Sequence, residues 1–322
     1  MLSRLFLLLA LVAAFAVPAA VVGAVPARAA VETSAEHGLI LDAQTGQILW
    51  QKEGLTPMPP ASMSKLMTIE LLFQRLKDGR VKLTDTFPVS QRAWSTQGSK
   101  MFVELGARIP VEDLIRGIII QSGNDACVVV AESLGGTLEG FVDLMNKRAK
   151  QLGLAQSTFV NPDGLPDPPG QLMSALDLAK LSRHLINDYP DYYHYFSERE
   201  FVWHNIHQPN RDLVLDSLPG ADGLKTGHTD AAGFCMIASA KRPNGKSGDR
   251  RLIAVVLGTA SDQARSQESQ KLLNWGFQNF DTVKLYAKGE ALANEEVWKF
   301  FSKHQLVRSA SVGESRAARS AG

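Results

Sequence analysis

Ser62-Met63-Ser64-Lys65 sets a hydroxyl and an amine three positions apart, and on a helix that spacing turns both side chains to one face within hydrogen-bond reach. Such a pair can make a nucleophile. Serine attacks poorly at its ordinary pKa, but a lysine kept partly neutral by burial or by cationic neighbours takes its proton, and the N–H groups of a helix start favour the negative charge that develops. Alone the string carries no weight: chance supplies about one S-x-x-K in a chain of this composition, with the serine as a cap and the lysine in solvent. Two further strings change that balance. Ser122-Gly123-Asn124 and Lys225-Thr226-Gly227 have chance expectations of about 0.06 and about 0.05, and the three stand in this order in one chain.

The elements that must carry these strings can be read from pattern. Pro57, Pro59 and Pro60 forbid helix, and the run 62–76 behind them is largely apolar with no Gly or Pro, so a mostly buried helix starts close to Ser62. An apolar helical pattern over 111–135 is interrupted at Ser122-Gly123-Asn124, and a second follows over 138–152. Residues 161–170 carry four prolines and read as an ordered loop, with a helix over 175–186 behind it. Strands 38–42 and 47–50 flank a Gly-containing turn. Strands 233–240 and 251–258 flank the turn 243–248, with Lys225-Thr226-Gly227 just before them and a closing helix over 264–280. Strands at both chain ends with helices between them predict a mixed α/β (α+β) domain, one sheet built from both ends around a helical insertion. No internal repeat is visible.

The 322 residues, 45% hydrophobic and 21% charged with 26 Gly and 15 Pro, suit one large globular domain with an appendage rather than a disordered or fibrous chain. A net charge of +1, from 34 basic and 33 acidic residues, supplies no field for nucleic acid. Arg4, the apolar run 5–25 and Ala27-Arg28-Ala29 read as a signal peptide over 1–29 that is cleaved before Ala30. An uncleaved anchor is the rival, and Pro18 argues against it. The expected location is the periplasm or the outer face of the cytoplasmic membrane, and the mature chain has a net charge of −1. Cys127 and Cys235 each lie in an apolar run and read as buried thiols. His204 and His207 lack further ligands around them, so no metal and no cofactor is expected.

The set S-x-x-K, S-x-N and K-T-G is the signature of penicillin-binding proteins and serine β-lactamases. The chain resembles the D-alanyl-D-alanine carboxypeptidases among the low-molecular-weight penicillin-binding proteins, from about Gly38 to Trp298. The resemblance rests on Ala61-Ser62-Met63-Ser64-Lys65-Leu66-Met67-Thr68, Gln121-Ser122-Gly123-Asn124-Asp125-Ala126-Cys127, Asp222-Gly223-Leu224-Lys225-Thr226-Gly227-His228-Thr229 and Glu268-Ser269-Gln270-Lys271-Leu272-Leu273-Asn274-Trp275-Gly276-Phe277. It implies a β-lactamase/transpeptidase-like fold with an antiparallel sheet. It also implies that Ser62 attacks the terminal D-Ala-D-Ala bond of a peptidoglycan stem pentapeptide while Lys65 takes its proton and the backbone N–H groups of Ser62 and His228 hold the oxyanion. Ser122 would relay a proton to the leaving amine, Asn124 would anchor the peptide amide, and Lys225, Thr226 and Gly227 would line the third side. Arg265 matches the arginine that relatives use on the substrate's terminal carboxylate, and β-lactams would be covalent inhibitors.

Some relatives carry a histidine before the Gly-Leu of the loop Asn161-Pro162-Asp163-Gly164-Leu165. Here Asp163 fills that place, as a turn residue or as a group that orders water, and it stays outside the catalytic set. Class A β-lactamases use Ser-Asp-Asn and an E-x-x-L-N string between that motif and K-T-G, whereas this chain has Gly123 and only Gln270-Lys271-Leu272-Leu273-Asn274, which follows Lys225. A DD-endopeptidase would use the same site. A wall- or drug-binding module is disfavoured because every expected catalytic side chain is present. The domain reading is catalytic over 30–280, the vestigial start of an incomplete C-terminal β domain over 281–299, and a disorder-like tail over 300–322. A brief stripe of Trp298, Phe300, Phe301, Leu306 and Val307 with Lys299, Lys303 and Arg308 offers weak peripheral membrane contact as the competing reading of that end.

Overall fold

The computed structural model describes residues 31–244 and 248–281. The expected signal peptide, all of the 281–299 segment except Asp281, and the tail 300–322 lie outside those residues. Along the chain, β1 (His37–Asp42) and β2 (Ile48–Lys52) form the expected hairpin, and one 3-10 turn, Ala61–Ser64, leads into α1 (Lys65–Lys77). Next come β3 (Thr86–Pro88), α2 (Gln91–Ser95), β4 (Arg108–Pro110), α3 (Val111–Ile119), α4 (Asn124–Gly135), α5 (Leu138–Gln151) and α6 (Ala175–Asp188). They are followed by α7 (Pro190–Tyr193), a 3-10 turn His194–Ser197, β5 (Glu200–Trp203), β6 (Ile206–Pro209) and α8 (Val214–Ser217). The chain returns through β7 (Ala221–Thr229), β8 (Gly233–Pro243), β9 (Asp249–Thr259) and α9 (Asp262–Asn279).

The central sheet has the order β2-β1-β9-β8-β7 and every pairing in it is antiparallel, so strands from the two chain ends meet at β1 and β9, with His37 opposite Leu257 and Asp42 opposite Leu252. Its two faces follow from the period of two along a strand. Leu39, Leu41, Ile237, Ile253, Val255 and Leu257 join the core shared with the helical insertion. Ile40, Met236, Ala238, Leu252, Ala254 and Val256 pack with Leu272 and Leu273 of α9. Both faces are covered, which is why β8 and β9 read as continuous apolar runs rather than alternating ones.

Pattern missed β7 as a strand. Asp222, Lys225 and Thr226 disrupt its apolar alternation, yet the strand runs through Lys225-Thr226-Gly227 as the edge of the sheet. The short ribbons β3–β4 and β5–β6 are likewise too short for a periodic signal. The helix α1 is buried on nearly every side, from Leu66 and Met67 through Leu72 and Phe73. Its one acid, Glu70, therefore has no route to water and is paired instead. Arg148 lies 2.8 Å away, His184 3.2 Å away, and the Tyr189 hydroxyl donates over 2.9 Å. Burial opposes ionisation there, but the bonds from His184, Arg148 and Tyr189 outweigh it and hold Glu70 below the usual carboxylate value. That network pins α1 to the insertion and so fixes the position of its first turn.

Candidate active site

The 3-10 turn Ala61–Ser64 and the first residue of α1 bring the S-x-x-K pair together: Lys65 Nζ donates to Ser62 Oγ over 2.8 Å. Lys65 also donates to the backbone carbonyl of Asp163. The lysine is completely buried, and that burial pushes its ammonium below the ordinary 10.5, with Arg211 adding repulsion and Cys127, Asp163 and Asp125 pulling the other way. A lysine so placed can accept the serine proton, which is the chemistry the spacing predicted. The Asp163 loop is tied down from several sides. Asn161 Oδ1 accepts from Gly164 N over 2.8 Å, Asn161 Nδ2 donates to the Leu165 carbonyl over 2.8 Å, and Thr68 Oγ1 donates to the Pro162 carbonyl over 2.6 Å. Gly164 has φ +86°, and a Cβ there would stand 2.0 Å from the Ala61 carbonyl oxygen, so the loop lies directly against the turn that bears Ser62.

The opposite wall is the break between α3 and α4. Ser122 adopts φ +59°, its Oγ is buried, and it makes no hydrogen bond among the described residues. A buried hydroxyl left without a partner is costly unless a ligand uses it. Asn124 opens α4, donating from its backbone N to the Ser99 carbonyl over 2.8 Å and from Nδ2 to the Gln97 carbonyl over 2.7 Å. The next residue, Asp125, accepts from the backbone N–H groups of Met101, Phe102 and Val103 over 2.8, 2.8 and 3.1 Å. The loop 97–103 is thereby held to the same wall.

The third side is edge strand β7. Lys225 and Thr226 are buried, and Lys225 Nζ donates to the Thr226 carbonyl over 3.1 Å. Burial first, then repulsion from Lys65, Arg211 and Arg265, holds Lys225 well below the ordinary lysine value. A Cβ on Gly227 would lie 3.1 Å from the backbone N of Ser62 and 3.2 Å from Ala61 Cβ, which explains a glycine at this close crossing of strand and nucleophile turn. His228 follows on the exposed end of β7, its ring stacked on Phe234 at 3.9 Å. Arg265, from α9, reaches the same strand: Nη1 donates to the Gly227 carbonyl over 3.0 Å and to the Cys235 carbonyl over 3.3 Å, and Nη2 pairs with Asp262.

The structure thus brings Ser62, Lys65, Gly227 and Arg265 into direct contact, sets Lys225 in the field of Lys65, and places Asn124 at the start of α4, whose Asp125 and Cys127 act on Lys65. Two groups were missed. Arg211, just beyond β6, donates from Nη1 to Ser99 Oγ over 2.8 Å and is among the positive neighbours of both Lys65 and Lys225. The Asp163 carbonyl acts through the backbone, so residue type gave no sign of it. Cys127 and Cys235 are both buried and unpaired with each other, and burial pushes the Cys127 thiol up to about 12, so neither offers a nucleophile. A broader recess of about 860 Å³, lined by Arg80, Asp85, Phe87, Arg108 and Glu132 among others, lies toward the far end of α4 and holds none of the cleft residues.

The family model for D-alanyl-D-alanine carboxypeptidases matches residues 24–261. The chain belongs to that family. It is a serine-type hydrolase, a D-alanyl-D-alanine carboxypeptidase with the penicillin-binding protein fold. It is 42% identical over 274 residues to D-alanyl-D-alanine carboxypeptidase DacD of Escherichia coli (strain K12), covering 83% of this chain and 69% of that one. The crystal structure of penicillin-binding protein 6B from Escherichia coli superposes with a TM-score of 0.76 at 42% identity, covering 81% of this chain and 82% of that one. Penicillin-binding protein D2 from Listeria monocytogenes, solved in an ampicillin-bound form, superposes with a TM-score of 0.69 at 28% identity, covering 77% of this chain and 99% of that one.

Proposed function

We propose that this carboxypeptidase removes the terminal D-alanine from peptidoglycan stem pentapeptides through an acyl-enzyme on Ser62. The observation that carries the reading is the 2.8 Å bond from the wholly buried Lys65 to Ser62 Oγ. Lys65 takes the serine proton as Oγ attacks the carbonyl of the last peptide bond, and the backbone N–H groups of Ser62 and His228 stabilise the oxyanion. The C–N bond breaks as Ser122, whose hydroxyl has no other partner among the described residues, passes a proton to the departing amine. Water then hydrolyses the ester, returning Ser62.

Asn124 anchors the peptide amide, its side chain fixed on the Gln97 carbonyl. Lys225, Thr226 and Arg265, with Arg211 beside them, receive the terminal carboxylate. A buried, positively charged end to the cleft favours an anion without any net charge on the whole chain. β-Lactams acylate the same serine, a reading supported by the ampicillin-bound relative. Residues 30–280 form the catalytic domain and 1–29 direct export, placing the enzyme where its wall substrate lies. Among the described residues no helix is long and apolar enough to cross a membrane.

The test is a stem-pentapeptide assay on the purified chain and its Ser62→Ala variant. Released D-alanine, lost in the variant together with covalent labelling by fluorescent penicillin, is the expected result. Labelling that persists in Ser62→Ala removes the nucleophile assignment. Rapid nitrocefin hydrolysis without D-alanine release makes the chain a β-lactamase, and cleavage of cross-linked muropeptides in preference to pentapeptide makes it an endopeptidase.

A further inference from the structure

Beside the cleft, a recess of about 300 Å³ is lined by Trp94, Lys100, Phe102, Glu104, His204 and Ile206. Large apolar side chains are exposed around it to an unusual degree: Trp94 is 46% exposed, Phe102 49% and Ile206 39%. Phe102 also adopts φ +72°, a backbone conformation that bulky residues avoid. The strain is held in place by the Asp125 carboxylate, which accepts from Phe102 N, and by the Phe102 carbonyl, which accepts from Trp203 Nε1 over 3.3 Å. An exposed ring fixed in a strained conformation by a buried acid points to a surface built for contact.

Two chain segments supply residues both to the recess and to the Asn124 wall. The loop 97–104 meets Asn124 through Gln97 and Ser99, then supplies Lys100, Phe102 and Glu104 to the recess. The β5–β6 hairpin supplies His204 and Ile206, then leads to Arg211, which bonds Ser99 Oγ in the cleft. Its polar rim carries both signs, with His204 Nδ1 2.8 Å from Glu104 Oε1 and Lys100 beside them. Aromatic faces carry negative partial charge and attract the weakly positive C–H bonds of a sugar ring, while such a mixed rim supplies partners for hydroxyl and acetamido groups.

Reach selects among occupants. Ser99 and Phe102 are three residues apart, so the recess begins within roughly 10 Å of the Asn124 wall. The four residues of a pentapeptide that precede its scissile bond span at most roughly 13 Å, a reach of the same order as the step from the Asn124 wall to Phe102. We propose that this recess is a carbohydrate subsite that seats the N-acetylated aminosugar carrying the stem peptide, so that the enzyme reads the glycan as well as the peptide terminus. The inference rests on the pentapeptide reading given above.

Its test compares a disaccharide-pentapeptide with the same pentapeptide lacking sugar, on the wild-type chain and on Phe102→Ala and Trp94→Ala. Binding of a β-1,4-linked N-acetylglucosamine tetramer is measured in parallel by tryptophan fluorescence. The wild type is expected to favour the sugar-bearing substrate about tenfold in kcat/KM, a ratio that either variant lowers toward one, and the tetramer is expected to perturb the wild-type emission. Equal kcat/KM on the two substrates without tetramer binding overturns the proposal. So does a variant that slows both substrates by the same factor, since that marks a structural role or a peptide contact. If the wild type cleaves neither substrate, the pentapeptide reading fails, and tetramer binding or its absence still decides the subsite.

Discussion

Lys65 and Arg211 lie in one electrostatic field, but Lys65 is wholly buried and donates to Ser62 Oγ and the Asp163 carbonyl, whereas Arg211 is exposed and donates to Ser99 Oγ on a loop. Burial destabilises the charged form of the lysine, and Arg211 repels it further. The guanidinium, with an intrinsic pKa far above any working pH, keeps its charge. The lysine is thus an amine that can move a proton, while the guanidinium beside it stays a fixed cation. The contrast separates chemistry from recognition by burial and by the choice of Lys or Arg.

Removing the buried member should have the larger effect. Lys65→Ala is expected to slow acylation of Ser62 by on the order of 10²–10⁴-fold, read as the rate of penicillin labelling, with the folded Tm checked alongside. A rate within a fewfold of wild type would take Lys65 out of the proton path. Arg211→Ala should cost less, about 10- to 100-fold in kcat/KM on a peptide with a free terminal carboxylate, as loss of one hydrogen bond to a charged group implies. The same variant removes a cation that lowers both lysines, so the rising limb of the pH–rate profile should move to higher pH. An unmoved profile with an equal loss on the C-terminally amidated peptide would assign Arg211 to holding the Ser99 loop instead.

The buried side of this comparison was legible and the exposed side was not, for physical reasons. Helix α1 announced itself through prolines before Ser62 and a largely apolar run to Leu76 with no Gly or Pro, and the break at Ser122-Gly123-Asn124 appeared as a gap between α3 and α4. Those features are local, so spacing encodes them. Arg211 reaches Ser99 across 112 positions by way of the β5–β6 ribbon, whose two strands of four residues are too short to register as a period. The Asp163 carbonyl contributes through the main chain and the left-handed Phe102 through its φ, and neither property is written in a residue type. Strand β7 was hidden for a related reason, because the polar Lys225 and Thr226 are buried at positions where a core strand would carry apolar residues.

The smallest expected effect concerns Asp212, the neighbour of Arg211, which carries the same contrast down to a single step in sequence. Its side chain is buried, Oδ1 accepts from Val214 N over 3.0 Å, and Oδ2 has no hydrogen-bond partner among the described residues. Burial pushes its carboxyl up to about 7, against the opposing pull of the Val214 N–H, Arg265 and Lys225. Because that value lies above the 3.8 of an unburied Asp, the folded chain binds more protons than the unfolded one between about pH 4 and pH 7. Stability drawn from this group is therefore full below about pH 4, falls as pH rises through that window, and is level above it. Asp212→Asn keeps the acceptor for Val214 N and abolishes the titration. Its Tm should match wild type near pH 4 and exceed it at pH 8 by an amount equivalent to at least about 1 kcal/mol, about 2–4 °C for a domain of this size. A Tm difference that stays flat or shrinks as pH rises would show that Asp212 is ionised throughout, its charge held by Arg265 and Lys225.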